Sequence, residues 1–282
     1  MVVVFIYKIY KLLLIIIIIT LLSSCDKKEN LSIHIIDVGQ GDSILINTPS
    51  NKNILIDGGN EDSEHIIRNY LKKEKVKTLD IVIATHPDSD HIGSLDYVVN
   101  KFNVKNIYMP NQNTDGSSYK NLINACKNKN LDINYLFKGD TLNIGENINF
   151  VVLSPSYIQN DNNLNSIVLN LKYKNKSFLF TGDCEKSNEI DIINSFNLND
   201  VDFLKVAHHG SSSSSTKEFI KNTSPDVAVI SCGYKNQYGH PHQSTLDTLK
   251  ENNVLTYRTD VNGDMVFYSD GLTITTKHKY KE

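Results

Sequence analysis

The chain has no tryptophan, only four cysteines and six prolines among its 282 residues, and no excess of basic side chains. Each scarcity excludes something. Tyrosine and phenylalanine occur 14 and 10 times, but they are scattered, without the basic and aromatic interleaving of a stacking groove for single strands. Lysine plus arginine number 29 against 32 aspartates plus glutamates, a formal charge of −3. That balance excludes a generally basic nucleic-acid coat protein, though not an enzyme that grips phosphate through metal ions. With 14 glycines and 40% hydrophobic residues, neither collagen-like repetition nor wholesale disorder fits. A mean hydropathy of −0.29 excludes a multi-span membrane protein. There is no internal repeat and no low-complexity linker.

The average hydropathy hides the start of the chain. Residues 1–22 are apolar or aromatic except for Lys8, Lys11 and Thr20, and Ser23, Ser24 and Cys25 follow at once. A basic start, an apolar run and then small residues form the pattern of a secretory signal peptide. Leu22-Ser23-Ser24-Cys25 resembles a bacterial lipobox, so residues 1–24 are expected to be removed and Cys25 lipidated. Residues 25–30 then form a tether and 31–282 one folded domain. The competing reading is an uncleaved single-span anchor over residues 2–22. In both cases the lysines stay inside, which places the rest on the outward face of the cell membrane. Removing residues 1–24 takes away two lysines and no acids, so the remainder carries −3 − 2 = −5. Cys126, Cys184 and Cys232 are then an odd set, read as buried thiols and not as a disulfide framework.

Beyond the tether, strand-type runs at 32–36, 43–47 and 53–57 are bounded by Gly, Asp or Asn. Apolar spacing predicts a helix over 62–75, a strand over 79–85, a helix over 92–102 and a strand over 104–109. A helix at 119–127 is followed by strands at 133–137, 148–153, 167–173 and 177–181. Further helices are expected at 184–196, 216–222 and 244–252, with strands at 202–207, 226–231, 255–258, 265–268 and 272–276. The helix at 216 is expected to open on a Ser215-x-x-Glu218 capping box. Strand-rich halves that each trail helices predict two packed sheets with helices outside, a single layered α/β domain.

Chemistry concentrates at strand ends. Thr85-His86-Pro87-Asp88-Ser89-Asp90-His91 places four candidate metal ligands within six residues, directly after a hydrophobic strand. Asp183 ends a later strand, His208 and His209 the next, and His240 and His242 follow the one after. Ligands from four strand exits fit a two-metal site better than one tetrahedral structural zinc. His34, His65 and His278 lack such context and are read as solvated or satisfied imidazoles. Asp37, Asp42 and Asp57 are expected to shape turns, with Asp57 available to orient a ligand. Ser211-Ser212-Ser213-Ser214-Ser215 is read as a mobile loop, with phosphate binding as the alternative.

These motifs resemble the metallo-β-lactamase superfamily of αββα hydrolases, and within it the extracellular hydrolase domain of the ComEC competence family. Asp37-Val38-Gly39-Gln40-Gly41-Asp42-Ser43, Leu55-Ile56-Asp57-Gly58-Gly59, the His86 to Gly93 loop and Asn165-Ser166-Ile167-Val168-Leu169 carry the likeness. Thr181-Gly182-Asp183, His208-His209-Gly210-Ser211, Tyr238-Gly239-His240-Pro241 and Arg258-Thr259-Asp260 complete it, in the family's order. The resemblance implies a four-layer αββα sandwich in one domain, and a metal set of His86, Asp88, Asp90, His91, Asp183, His208 and His240. Asp88 stands where the superfamily pattern has a second histidine, and Asp183 falls on the bridging aspartate. A later histidine of many relatives has no counterpart, with Asn165 near its place. His208, His209 and His240 could each compensate. His208 and His240 are favoured as ligands and His209 near the leaving group, so the catalytic set is Asp90, His209 and His240.

The activity implied is a binuclear phosphodiesterase or nuclease using Mn²⁺ or Zn²⁺ on extracellular DNA, in a protein anchored through lipid on Cys25. Hydrolysis of another phosphodiester, a lactam or a thioester is one alternative. A DNA-binding lipoprotein without turnover is the other. Nothing in the sequence identifies a protein partner.

Overall fold

In the computed structural model, residues 30–145 and 148–278 are described. The leader, the lipobox and Cys25 lie outside them. No helix among the described residues is long and apolar enough to cross a membrane.

The first half begins with an antiparallel meander of β1 (Leu31–Ile35), β2 (Ile44–Asn47) and β3 (Asn53–Ile56). A 3-10 turn at Glu61–Ser63 leads into α1 (Glu64–Lys73), then β4 (Thr78–Leu79) and β5 (Ile81–Ile83). Next come α2 (Ser89–Ile92), α3 (Leu95–Lys101), β6 (Asn103–Val104), β7 (Ile107–Met109), α4 (Ser117–Asn128) and β8 (Ile133–Tyr135). The second half opens with β9 (Thr141–Gly145), β10 (Ile148–Ser154), β11 (Val168–Tyr173) and β12 (Lys176–Phe180). It then alternates α5 (Lys186–Ser195), β13 (Phe203–Lys205), α6 (Lys217–Thr223), β14 (Val227–Ile230), α7 (Gln243–Glu251) and β15 (Leu255–Arg258). A short α8 (Thr259–Asn262) turns the chain back to β16 (Met265–Ser269) and β17 (Ile274–Thr276).

The strands form an eight-stranded sheet, β17-β16-β1-β2-β3-β5-β7-β8, and a seven-stranded sheet, β15-β14-β13-β12-β11-β10-β9. Side-chain parity decides which face meets what, since successive residues of a strand point to opposite faces. Ile54, Ile56, Ile81 and Ile83 join Phe150, Phe178, Phe180 and Phe203 in a core between the sheets. Leu55 and Val82, one residue out of step, pack under Ile67, Leu71, Val98 and Leu122 of the first sheet's helices. Leu179 and Leu204 do the same beneath Ile192, Phe219 and Leu249 of the second sheet's helices. The result is the αββα layering that two-faced strands and one-faced helices require.

Four details depart from the sequence expectation. The 92–102 helix is two, broken where Gly93 presses so close to Asn60 and Glu61 that a Cβ would sit 2.4 Å from the Glu61 nitrogen. The 79–85 strand breaks at Asp80, whose carboxylate accepts from the Asn53 N–H and pairs with Lys105. The 216–222 helix is capped by Thr216, not Ser215, because Glu189 takes the Ser215 N–H while the Thr216 hydroxyl accepts from the Phe219 N–H. The serine run is also pinned and not loose: Ser214 Oγ donates to the Ala207 carbonyl, and Lys186 N–H donates to the Ser213 carbonyl.

Candidate metal centre

β3 and β5 run parallel, as do β12, β13 and β14. Their C-terminal ends share one edge of the sandwich, where open α/β sheets commonly present their ligand sites. Thr85 and His86 leave β5 there, and Asp88 precedes α2, which carries Asp90 and His91. Asp183 follows β12, and His208 and His209 follow β13.

Three imidazoles at this edge are held in the same manner. His91 Nδ1 lies 2.8 Å from Asp57 Oδ2. The same Asp57 carboxylate accepts from the Thr85 N–H and Oγ1–H at 2.8 and 2.7 Å. His209 Nδ1 lies 2.9 Å from the Ser231 carbonyl, and His208 Nδ1 lies 2.9 Å from Glu185 Oε1. Each ring therefore offers Nε2 to the interior. His91 Nε2 is 3.2 Å from Asp183 Oδ1, His209 Nε2 is 3.4 Å and His208 Nε2 3.8 Å from Asp183 Oδ2. Asp90 Oδ2 joins at 3.2 Å from His209 Nε2. An imidazole whose Nδ1 is anchored on an acceptor while Nε2 faces a carboxylate has the orientation of a metal-ligating histidine.

Backbone strain makes this convergence possible. His208 and His209 have φ of 48° and 53°, and Asp57 has φ of 60°. Non-glycine residues rarely occupy this left-handed region, and those that do cluster at functional sites. Gly41, at φ +133°, allows another close approach: a Cβ there would lie 2.2 Å from the Asp90 carbonyl oxygen. The adjacent Asp42 N–H donates to that oxygen at 3.1 Å.

Behind His209 lies a buried ion pair. Lys205 Nζ is 2.7 Å from Asp42 Oδ2, both side chains being almost wholly enclosed. Lys205 shares the inward parity of Phe203, which brings its ammonium between the sheets. Asp42 Oδ1 is 3.5 Å from His209 Nδ1.

The electrostatics are strongly coupled. Burial pushes the Asp183 carboxyl up, but His209 and His91 overcome it and hold it well below the usual range. Burial also opposes Asp90, which His209 and His91 nevertheless hold at about 2. Conversely, burial would lower His91 and His209, and Asp183 above all raises both well above the usual imidazole value. His240 is the exception: burial and the neighbouring His209 and His208 push it down to about 4.

Among the expected site residues, the fold brings Asp90, His91, Asp183, His208 and His209 into one network. His86 adjoins it, its ring 4.1 Å from that of His91. Asp88 Oδ2 stands 3.6 Å from His86 Nε2, and Asp88 Oδ1 accepts from Asn162. His240 lies at the rim, ring centroids 5.5 Å from His208 and 6.2 Å from His209. His242 joins His240 at the rim, ring centroids 4.9 Å apart, and its Nδ1 accepts from the Ser212 N–H. Asn165 does not reach the centre; its amide bonds to Gln112 and Gln159. Ser166 Oγ accepts from the Asp183 N–H.

Sequence reasoning overlooked three neighbours: Glu185, Lys205 and the closeness of Asp42. A lysine at an inward strand position was the available signal for the Lys205 pair. Asp42, His91, Asp183 and His209 each offer a ligand atom within 4.8 Å of the others. Asp42 is already neutralised by Lys205, so its role there is to back His209. His86 Nε2 and Asp183 Oδ1 are buried and close no well-aligned hydrogen bond among the described residues, their nearest partners being Asp88 Oδ2 at 3.6 Å and His91 Nε2 at 3.2 Å. A divalent ion would satisfy both atoms; imidazole and carboxylate donors suit one.

Residues 36–116 match the metallo-beta-lactamase superfamily. The chain carries a metallo-beta-lactamase superfamily domain. It is 33% identical over 253 residues to ComE operon protein 3 of Bacillus subtilis, covering 83% of this chain and 32% of that protein. It is 28% identical over 239 residues to Competence protein ComA of Neisseria gonorrhoeae, covering 84% of this chain and 32% of that protein. The chain thus spans about a third of the length of these curated relatives. A solved metal-dependent hydrolase of the beta-lactamase superfamily shares the fold at a TM-score of 0.57 and 15% identity, over 83% of this chain and 98% of that one. The anchored imidazoles and Asp183 are the candidate metal ligands of this metallo-beta-lactamase domain.

Proposed function

We propose that the chain is a two-metal phosphodiesterase that cleaves nucleic acid at the outward face of the cell membrane. The observation that carries this reading is the convergence of three Nδ1-anchored imidazoles on Asp183. Asp90, His91, His209 and Asp183 would hold one ion; His86, Asp88, His208 and Asp183 the other. This assigns His209 a ligand role in place of the leaving-group role the sequence favoured, and moves His240 outward. Ions bound there supply Lewis-acid stabilisation of phosphoryl oxygens and a water of lowered pKa.

The protein's own groups do the remainder. Asp57, Ser231 and Glu185 fix the three rings, and the Asp42–Lys205 pair backs His209 with a carboxylate that needs no further cation. His240, at the rim beside His208 and His209 and held neutral by burial and by them, would donate a hydrogen bond from its ring N–H to a departing oxygen, whose proton then comes from water. The competence proteins among the relatives support DNA as the substrate. The two dications would hold a substrate phosphate by direct contact and not through a positive field, because Asp57, Asp88, Asp90, Asp183 and Glu185 together offset their charge. Asp88 in place of a histidine, and the absence of a thiolate, make the donor set harder, which favours activity with Mn²⁺ over Zn²⁺.

Incubating the full chain with Mn²⁺ or Zn²⁺ and plasmid, oligonucleotide, bis-p-nitrophenyl phosphate and nitrocefin side by side tests the reading. Cleavage of the phosphodiesters supports it, while hydrolysis of nitrocefin alone replaces it with lactam chemistry. The anchor is tested separately: Cys25→Ala should release the protein from the membrane fraction or leave an unprocessed precursor. Membrane-bound protein beginning at an unmodified Met1 would reject lipidation.

A further inference from the structure

Beside Asp90 opens a cleft of about 330 Å³, walled by Gln40, Asn60, Asn236, Gln237 and Tyr238. That volume is at the lower end of small-ligand sites. Apart from Asp90 its walls carry no charge, so it offers a phosphate nothing. It offers amides instead. Gln40 Oε1 accepts from the Gly233 N–H at 3.1 Å, and Nε2 makes no hydrogen bond among the described residues. Asn60 Nδ2 donates to the Gln40 carbonyl at 2.6 Å, and its Oδ1 is likewise without a partner there. Gln237 is exposed. Asn236 is committed to the loop itself, accepting from the Tyr238 and His240 N–H groups at 3.2 and 3.0 Å. A free donor, a free acceptor and one adaptable amide match the mixed edge of a nucleobase.

The same loop supplies a flat surface. Tyr238 is 55% exposed, and its ring stacks on His240 at 5.7 Å between centroids and 22° between planes. Tyr234, 72% exposed, carries Lys235 Nζ 5.2 Å from its ring centroid. Exposed rings beside a cation are the elements with which proteins hold unstacked bases.

We propose that this cleft is a nucleobase subsite, with Tyr238 as the stacking platform and Gln40, Asn60 and Gln237 meeting the base edge. The substrate is then a single-stranded nucleic acid, one base seated here while the neighbouring phosphate lies at the metal centre. A paired, stacked base in a duplex could not enter without being flipped out. The inference rests on the phosphodiesterase reading and adds which strand form it takes.

The test uses the Mn²⁺-loaded full chain with a single-stranded oligonucleotide, the same oligonucleotide made abasic, its duplex, and bis-p-nitrophenyl phosphate. Wild-type kcat/KM should be about tenfold or more higher on the single strand than on the abasic strand or the duplex. Tyr238→Ala should erase most of that preference, and Tyr238→Phe should retain it. Equal wild-type rates on the normal and abasic strands, with bis-p-nitrophenyl phosphate hydrolysed, would overturn the subsite and leave the phosphodiesterase reading standing. Equal losses by Tyr238→Ala on every substrate would show that the ring only props His240, and would also overturn it. No hydrolysis of any of these substrates would remove both proposals.

Discussion

The two halves of the molecule bring candidate ligands to the same edge by different routes. In the first half, His86, Asp88, Asp90 and His91 leave a single strand in one loop, and their spacing along the chain already places them together. In the second, Asp183, His208 and His209 leave two different strands, and β13 comes to lie beside β12 only through the crossover of α5. The first half's residues are fixed by local geometry: Asp57 holds Thr85 and His91 at once. The second half's are fixed by strain and by a buried ion pair, with two successive histidines at positive φ and Lys205 behind them. A short loop makes a site robust to packing changes elsewhere, whereas an assembled one depends on the whole sheet.

Asp183 joins the halves, so its loss should have the largest effect. Asp183→Ala should reduce bound divalent ion and cut activity about a thousandfold or more, several kcal/mol of charge stabilisation being removed. Elemental analysis after gentle purification and metal titration check this. Saturation at one ion per chain, with affinity unchanged in the variant, would rule out a shared aspartate.

The second comparison lies within the later half. His209→Ala should lose both metal and activity, while His240→Ala should keep metal and lose about a hundredfold in rate. If the outcomes are reversed, His240 is the ligand and His209 serves the leaving group. Wild-type metal content and rate in both variants would dismiss both assignments.

A smaller effect sharpens the first half. Asp57→Asn removes the charge that orients His91 while preserving shape, and should weaken metal affinity by about ten- to a hundredfold. Competition titration against a chelating dye measures it. An unchanged affinity would make Asp57 a scaffold for Thr85 alone.

The mildest test is pH. His91 and His209 have raised values in the fold, so the stability they contribute to the chelated chain is complete below about 6.5 and is lost as pH rises through the raised values. The chelated chain should therefore melt at a lower temperature at pH 8.5 than at pH 6.5, and metal uptake at pH 7 should release protons. Thermal scans and calorimetry in buffers of different ionisation enthalpy follow the two effects. A chelated chain that melts higher at pH 8.5 would place neutral imidazoles there.

What could be read from the sequence follows the same division. The αββα layers were legible because parity alternates cleanly, with Ile54 and Ile56 against Leu55 in β3 and Phe178 and Phe180 against Leu179 in β12. The His86 to His91 loop was legible from spacing alone. The roles of His208, His209 and His240 were not, because three imidazoles on two loops are ranked only by which Nδ1 finds an acceptor. Those acceptors, Glu185 and the Ser231 carbonyl, belong to other strand ends. Asn165, near the sequence place of a histidine found in many relatives, is claimed by local polar pairing with Gln112 and Gln159. Breaks such as Gly93 depend on tertiary closeness that no periodicity encodes.

The two sheets meet face to face through large apolar rings, with Phe203 of one lying 5.1 Å from Phe267 of the other. The candidate ligands line the rim of that same interface, some from each sheet. An ion gripped there acts as a rivet, because the sheets cannot part without first releasing it. Ligation would then slow unfolding as well as shift its equilibrium. A chain of this design would resist proteases for longer wherever the ion is plentiful, and its lifetime would report on the metal content of its surroundings.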